Sequence, residues 1–261
     1  MTEVDKKIKE QFGKKILFNE TLSKYSWFNI GGKADILFRP DNIDELSSFF
    51  KKNDLTSINI LGAGSNTLIR DGGVKNVTIK LSSKFSFLKL LNNNIIEAGA
   101  ATLDKKLSNY ATENSLSGLE FLSGIPGSVG GAIKMNSGCF GKEISEILYS
   151  IKVIDLKGRT KEILAKDIKF FYRGNDLPND LIITSAQFVG KNLPLGEIRK
   201  IQEDILKKKK LAQPSQIKTG GSTFKNPLNQ KAWELINKSG CNDFKVGDAK
   251  ISEKHCNFFI N

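Results

Sequence analysis

A chain of 261 residues with 39% hydrophobic and 26% charged residues has the composition of an ordinary soluble globular protein, long enough to bury a core without covalent staples. Its 3 cysteines, Cys139, Cys241 and Cys256, lack C-x-x-C spacing, which argues against a disulfide framework or a zinc site and fits a reducing cytoplasm. The formal charge of +12 comes from dispersed lysines without a nucleic-acid motif; the N-terminus is no secretory leader, and no run reaches the ~18 apolar residues of a spanning helix, so neither nucleic acid nor membrane is expected as a partner.

Val4, Ile8 and Phe12 recur at helical spacing and predict a short first helix. Residues 27–39 read as extended chain around a turn at Gly31-Gly32. Ile43, Leu46, Phe49 and Phe50 share one face of a helix predicted over 42–53. A strand over 57–61 runs into Gly62-Ala63-Gly64-Ser65-Asn66, and another over 77–81 follows the turn at Asp71-Gly72-Gly73. Leu103, Leu107, Tyr110 and Ala111 predict a helix over 103–114 with Thr102 as its N-cap. Phe121 then leads into Gly124-Ile125-Pro126-Gly127-Ser128-Val129-Gly130-Gly131-Ala132. Residues 151–163 read as a hairpin turning at Lys157-Gly158, 181–189 as a strand, and 197–210 as an amphipathic helix. A third loop, Gly220-Gly221-Ser222-Thr223-Phe224-Lys225-Asn226-Pro227, precedes a helix over 231–238 that Gly240 can cap. Strands alternating with helices predict a mixed α/β or α+β architecture.

The first loop places glycines at positions 62 and 64, where main-chain N–H groups can approach a phosphate closely. Thr67 stands where a dinucleotide fingerprint has its third glycine, and no helix follows, so the Rossmann context fails. Alone, this loop reads more readily as a tight turn. The second loop adds 4 glycines and a proline, and the two together could hold one pyrophosphate. In the third loop Ser222 follows two glycines, with Lys225 and Asn226 close behind; a turn former and a positioned hydroxyl are both open readings. A serine hydrolase is a poor match. There is no G-x-S-x-G elbow, and the single histidine, His255, has no acid–base circuit.

Five blocks then occur in one order: Leu61 to Asn66, Gly118 to Ala132, Met135-Asn136-Ser137-Gly138, Tyr172-Arg173, and Gly221 to Pro227. The set resembles the UDP-N-acetylenolpyruvoylglucosamine reductases, the flavoenzyme family known as MurB, in its shorter type II branch, and the likeness runs from Tyr25 to Asn261. It implies an α+β fold with a PCMH-type FAD-binding domain of two subdomains plus a small α+β substrate-binding domain. The expected division is an N-terminal segment 1–20, FAD-binding subdomains 21–81 and 82–194, and a substrate domain 195–261. It also implies an FAD-dependent oxidoreductase with NADPH as co-substrate. The reaction would reduce UDP-N-acetylglucosamine enolpyruvate to UDP-N-acetylmuramate for peptidoglycan synthesis. A cytoplasmic monomer is expected.

Carried over residue by residue, the likeness gives FAD contacts at Gly62, Ala63, Gly64, Ser65, Asn66, Gly124, Ile125, Pro126, Gly127, Ser128, Gly130, Gly131 and Ala132. Arg173 matches the arginine for the substrate carboxylate and Ser222 the proton-donating serine; Lys225 and Asn226 are expected near the substrate. Two departures stand out. Ser137 replaces the family's usual alanine. The family pattern also continues past His255-Cys256-Asn257-Phe258 to a glutamate that assists protonation, whereas this chain ends at Asn261. That difference leaves open an FAD-binding relative with impaired turnover. Flavin oxidases that tether FAD through a first-loop histidine fit less well, because this loop has none.

Overall fold

The computed structural model describes residues 3–53, 55, 57–92, 94–214 and 217–261, which form three main sheets. The first sheet takes up α1 (Glu3–Phe12), β1 (Ile16–Thr21), β2 (Lys33–Phe38), α2 (Ile43–Lys52), β3 (Ile58–Ile60) and β4 (Val74–Ile79). Its strand order is β1-β2-β4-β3, with β1 antiparallel to β2 and the other two pairings parallel. Parallel strands need a crossover, and α2 supplies one between β2 and β3. The helix starts where the sequence tells it to: the Asn42 side chain accepts a hydrogen bond from the Glu45 N–H at 2.9 Å. Asp44 and Glu45 lie in the first turn and Lys51 and Lys52 in the last, each matching the helix dipole.

The apolar face of α2 buries Leu46, Phe49 and Phe50. Phe49 stacks on Phe38 of β2 at 4.4 Å between ring centroids, and Phe12 of α1 meets both rings edge-on at 5.1 and 5.5 Å. Of the predicted stripe on α1, Ile8 and Phe12 are buried, while the Val4 side chain falls outside the described ones.

The second sheet contains β5 (Leu88–Asn92), β6 (Ile95–Gly99) and the strands Leu148–Ile154, Thr160–Leu164 and Ile182–Val189, all antiparallel. The predicted hairpin turn is present, with Gly158 at φ +72°. It docks on α2, where the Ser47 hydroxyl donates to the Gly158 carbonyl at 2.8 Å. Three helices cover this sheet's side of the molecule: α3 (Asp104–Glu113), α4 (Val129–Lys134) and α5 (Leu195–Ala212). Leu107, Leu119, Ile133, Ile151 and Phe188 form a core with no exposed surface. Ile154 and Ile182 join the aromatic cluster of the first sheet instead, so the two sheets share buried surface.

One capping expectation is corrected. Leu103, not Thr102, is the N-cap of α3, and the Thr102 hydroxyl donates to the Phe87 carbonyl at 3.1 Å. The second glycine-rich stretch is also less of a loop than its composition implies, because α4 begins at Val129.

The third sheet has the order Thr219–Ser222, His255–Ile260, Ala249–Ser252, Lys245–Val246, with α6 (Ala232–Lys238) against the strand His255–Ile260. Gly240 closes α6 at φ +70°, its N–H donating to the Asn237 carbonyl at 3.1 Å.

The aromatic cluster makes a stability prediction. Phe49→Ala should cost about 3–5 kcal/mol by leaving a cavity between α2 and β2. Urea denaturation followed by far-UV circular dichroism measures it, and a loss below ~1 kcal/mol would show that the cluster does not anchor the first sheet.

Candidate active site

The first loop leaves β3 and turns back over the segment after Tyr25. The Trp27 N–H donates to the Gly64 carbonyl at 2.9 Å, and a β-carbon at position 64 would lie 2.0 Å from the Tyr25 carbonyl oxygen. With φ at +71° as well, only glycine suits this position. Lys80, just beyond β4, donates its ammonium to the Gly62 carbonyl from behind. Burial pulls its pKa below the usual lysine value, and the nearby positive charge of Arg39 adds to that. Among the described residues none accepts a hydrogen bond from the main-chain N–H groups of Gly62 to Asn66.

The second loop is stitched to the approach to α3. The N–H groups of Val129 and Gly130 donate to the carbonyls of Thr102 and Ala100, both at 2.9 Å, and the Asp104 N–H donates to the Gly127 carbonyl at 3.1 Å. The N–H groups of Gly127 and Ser128 likewise have no acceptor among the described residues. The two loops meet. A β-carbon on Gly62 would stand 2.9 Å from the Ser128 hydroxyl oxygen, and one on Gly127 would stand 3.8 Å from the Ser65 hydroxyl oxygen.

The expected contacts in the second loop divide by location. Gly127 and Ser128 are at the junction, and a β-carbon on the exposed Gly131 would lie 3.7 Å from the Ser128 hydroxyl. Gly124 packs instead against Cys139 and Ile205, with its carbonyl accepting from the Lys209 ammonium at 2.7 Å. Gly130 packs on Ala100, Ala132 is buried in the second core, Ile125 packs against that core, and Pro126 is exposed.

The third loop reaches the same place. A β-carbon on Gly221 would be 3.8 Å from both the Asn66 amide oxygen and the Ser65 carbonyl oxygen. Ser222, the next residue, is exposed at the end of its strand, paired with Phe258. Asn257 holds the loop in shape. Its amide donates to the Phe224 carbonyl and its oxygen accepts from the Phe224 N–H, both at 2.9 Å.

Arg173 occupies a two-residue turn between the short strands Phe170–Phe171 and Gly174–Asn175, at φ +60°, an uncommon conformation for a side-chain-bearing residue. Its guanidinium carbon lies 5.0 Å from the centre of the Tyr172 ring, and one terminal nitrogen donates to the Gly138 carbonyl at 3.3 Å. The Asn226 N–H donates to the Tyr172 hydroxyl at 3.4 Å, which ties the arginine turn to the third loop. The Asn226 side-chain oxygen accepts from the Ala232 N–H at the start of α6, and Lys225 is exposed. Among the described residues no hydrogen bond joins Ser222 to Lys225 or Asn226.

Sequence reasoning missed Tyr25, Lys80, Asp104 and Asn257. Only the order His255-Cys256-Asn257-Phe258 carried a signal, through the family likeness; the others matter because of contacts between distant segments.

Main-chain donors from separate stretches meet where the first two loops approach each other, and the family match over this part of the chain makes it a flavoprotein. Residues 34–163 match the model of an FAD binding domain, and residues 213–261 match that of the UDP-N-acetylenolpyruvoylglucosamine reductase C-terminal domain. The chain is 49% identical over 260 residues to the UDP-N-acetylenolpyruvoylglucosamine reductase of Pelagibacter ubique, covering 98% of this chain and 86% of that one. It is 42% identical over 241 residues to the enzyme of the same name from Rickettsia bellii, covering 92% and 80%. The crystal structure of the Thermus caldophilus reductase superimposes with a TM-score of 0.84 at 34% identity, covering 94% of this chain and 87% of that one. A glucose oxidase variant of Phl p 4 shares the fold at a TM-score of 0.52 and 11% identity.

The chain therefore belongs to the UDP-N-acetylenolpyruvoylglucosamine reductase family, with its PCMH-type FAD-binding fold. The residues present fit the cofactor. Uncommitted N–H groups at Gly62 to Asn66, Gly127 and Ser128 are the donor set a diphosphate needs, and side chains at 62 or 127 would fill the space between the loops.

Asn257→Ala should destabilise the protein by about 1–3 kcal/mol, because it strands two main-chain groups of Phe224. Thermal unfolding measures this, and an unchanged midpoint would mean that the third loop holds its shape without Asn257.

Proposed function

We propose that the chain catalyses the NADPH-dependent reduction of UDP-N-acetylglucosamine enolpyruvate to UDP-N-acetylmuramate, an oxidoreductase step in peptidoglycan precursor synthesis. The observation that carries the reading is the approach of three glycine-bearing loops to one place, with Ser65 near Gly127 of the second and Gly221 of the third, and Ser222 following directly on Gly221. The family relationship supports the same reaction. NADPH as electron donor, a single chain as working unit and the cytoplasm as compartment go with this reading. So does a division of labour in which residues 21–81 and 82–194 hold the cofactor and residues 195–261 complete the substrate site.

Bound FAD would supply two-electron chemistry between NADPH and the enolpyruvyl double bond. The main chain at Gly62 to Asn66 and at Gly127 and Ser128 would hold its diphosphate. The protein's own part in the reduction is to manage charge. Adding electrons to the terminal carbon of the double bond builds negative charge on the neighbouring carbon and its carboxylate. Arg173 is suited to meet that charge, because a planar guanidinium binds a carboxylate through two parallel bonds. Gly138 and the Tyr172 ring fix its plane.

Ser222 Oγ then gives its proton to the carbon next to the carboxylate. An alcohol is a weak acid, yet a carbon-centred anion is a strong enough base to take its proton. The exposure of Ser222 lets water restore the proton afterwards. The formal charge of +12 also favours the encounter with two phosphorylated substrates.

An anaerobic titration tests the proposal. NADPH should bleach the flavin spectrum of the purified protein, and UDP-N-acetylglucosamine enolpyruvate should restore it. Ser222→Ala should bleach normally and recover about 10³-fold more slowly. Arg173→Lys should recover more slowly too, by about tenfold or more, through loss of the paired bonds. Full-speed recovery in the serine variant would remove Ser222 from its role, and a protein that NADPH does not bleach would end the reading itself.

A further inference from the structure

Asp104 opens α3 and has no exposed surface. Neither of its carboxyl oxygens has a hydrogen-bond partner among the described residues. It does not cap its helix: the Lys106 and Leu107 N–H groups donate to the Leu103 carbonyl at 2.8 and 3.1 Å. An ionised carboxylate buried without a partner is so unfavourable that such groups keep their proton. Burial raises the pKa of Asp104 well above the usual aspartate value.

The surroundings contribute no compensating charge. The second loop faces Asp104 with Gly127, which carries no charge. On its own helix Lys105 and Lys106 are exposed. Glu120, on the segment packed against α3, accepts from the Ser117 hydroxyl and the Gly118 N–H.

Its location gives the buried group a use. A β-carbon on Gly127 would lie 2.6 Å from Asp104 Oδ2 and 3.8 Å from Ser65 Oγ. The carboxyl therefore sits directly behind the point where the two cofactor loops meet. A charged carboxylate there would repel a diphosphate, whereas a neutral acid has an O–H to offer.

We propose that Asp104 is a positioning residue for the FAD site that acts in its protonated form: shut off from solvent against Gly127, its O–H donates to the junction of the first two loops, not to the cofactor itself, when the FAD diphosphate is held there. The inference rests on the FAD reading above and adds a residue that the sequence motifs do not contain. It also explains why an acid is tolerated next to a site for an anion.

Two side chains separate the possibilities. Asp104→Asn keeps the shape and a permanent donor, while Asp104→Leu keeps the bulk and removes the donor. FAD is stripped from the purified protein and its rebinding followed by quenching of flavin fluorescence. The Asn variant should rebind with near wild-type affinity and the Leu variant about tenfold more weakly. Equal affinity for wild type and the Leu variant would overturn the proposal, since it would reduce Asp104 to a space filler. A wild type that takes up no FAD would instead overturn the cofactor reading.

The protonation state has its own readout, independent of FAD and usable if the Leu variant does not fold. Above the ordinary aspartate pKa the unfolded chain has lost a proton that folded Asp104 keeps, so this group makes stability fall as pH rises toward its raised folded value. Relative to Asp104→Asn, the wild-type folding constant should fall as pH rises above the ordinary aspartate pKa, by up to about tenfold per pH unit while folded Asp104 keeps its proton. Parallel stability curves for the two proteins would mean that Asp104 is ionised in the fold, and the proposal would fail.

Discussion

A β-carbon at position 64 would stand 2.0 Å from the carbonyl oxygen of Tyr25, a separation that backbone geometry does not tolerate. The missing side chain lets the first loop lie directly on the chain beneath it and accept a hydrogen bond from Trp27. Everything else in the site is placed relative to that seat. Ser128 comes up against Gly62, Gly221 against Asn66 and Ser65, and Lys80 grips Gly62 from behind. The loop's own N–H groups stay uncommitted because its contacts with the scaffold run through carbonyl oxygens and close packing.

Much of this was legible in the sequence, and the reasons are specific. The helix at 43–52 announces itself through Asn42 and the spacing of Leu46, Phe49 and Phe50, all local signals. The hairpin at Gly158 and the close of α6 at Gly240 follow from turn chemistry that a few adjacent residues settle. The third sheet was not legible. Its strands include the exposed pair Lys245–Val246 and the glycine-rich Thr219–Ser222, neither with an alternating apolar face. The composition of 124–132 suggested one uniform cradle, yet their neighbours separate Gly127 and Ser128 at the junction from Gly130, packed on Ala100, and Ala132, in the second core. Asp104 and Asn257 were hidden for another reason. A buried acid or amide has meaning only through partners far away in the chain.

The two ends of the site work in different electrostatic regimes. Ser65, Ser128 and Asp104 are buried, where hydrogen bonds are strong and unpaired polar groups costly. Ser222 and Lys225 are exposed, where water weakens charge interactions and salt screens them beyond about 10 Å. The residues proposed for the cofactor thus lie in the first regime and those proposed for the substrate in the second. Arg173 stands between them, half-buried, with the Gly138 carbonyl and the Tyr172 ring bracing it.

The long helix α5 joins the two ends mechanically. Near its C-terminus the Lys209 side chain clasps the Gly124 carbonyl, and the carbonyl of the next residue, Lys210, accepts from Lys254 in the turn between the third-sheet strands Ala249–Ser252 and His255–Ile260. A rod of 18 residues, roughly 27 Å long, thus ends in a fitting that clamps the base of one loop and the rim of the sheet carrying another. Because both contacts sit on neighbouring residues at one end of α5, a displacement of the third sheet is passed through a single joint to the root of the second loop.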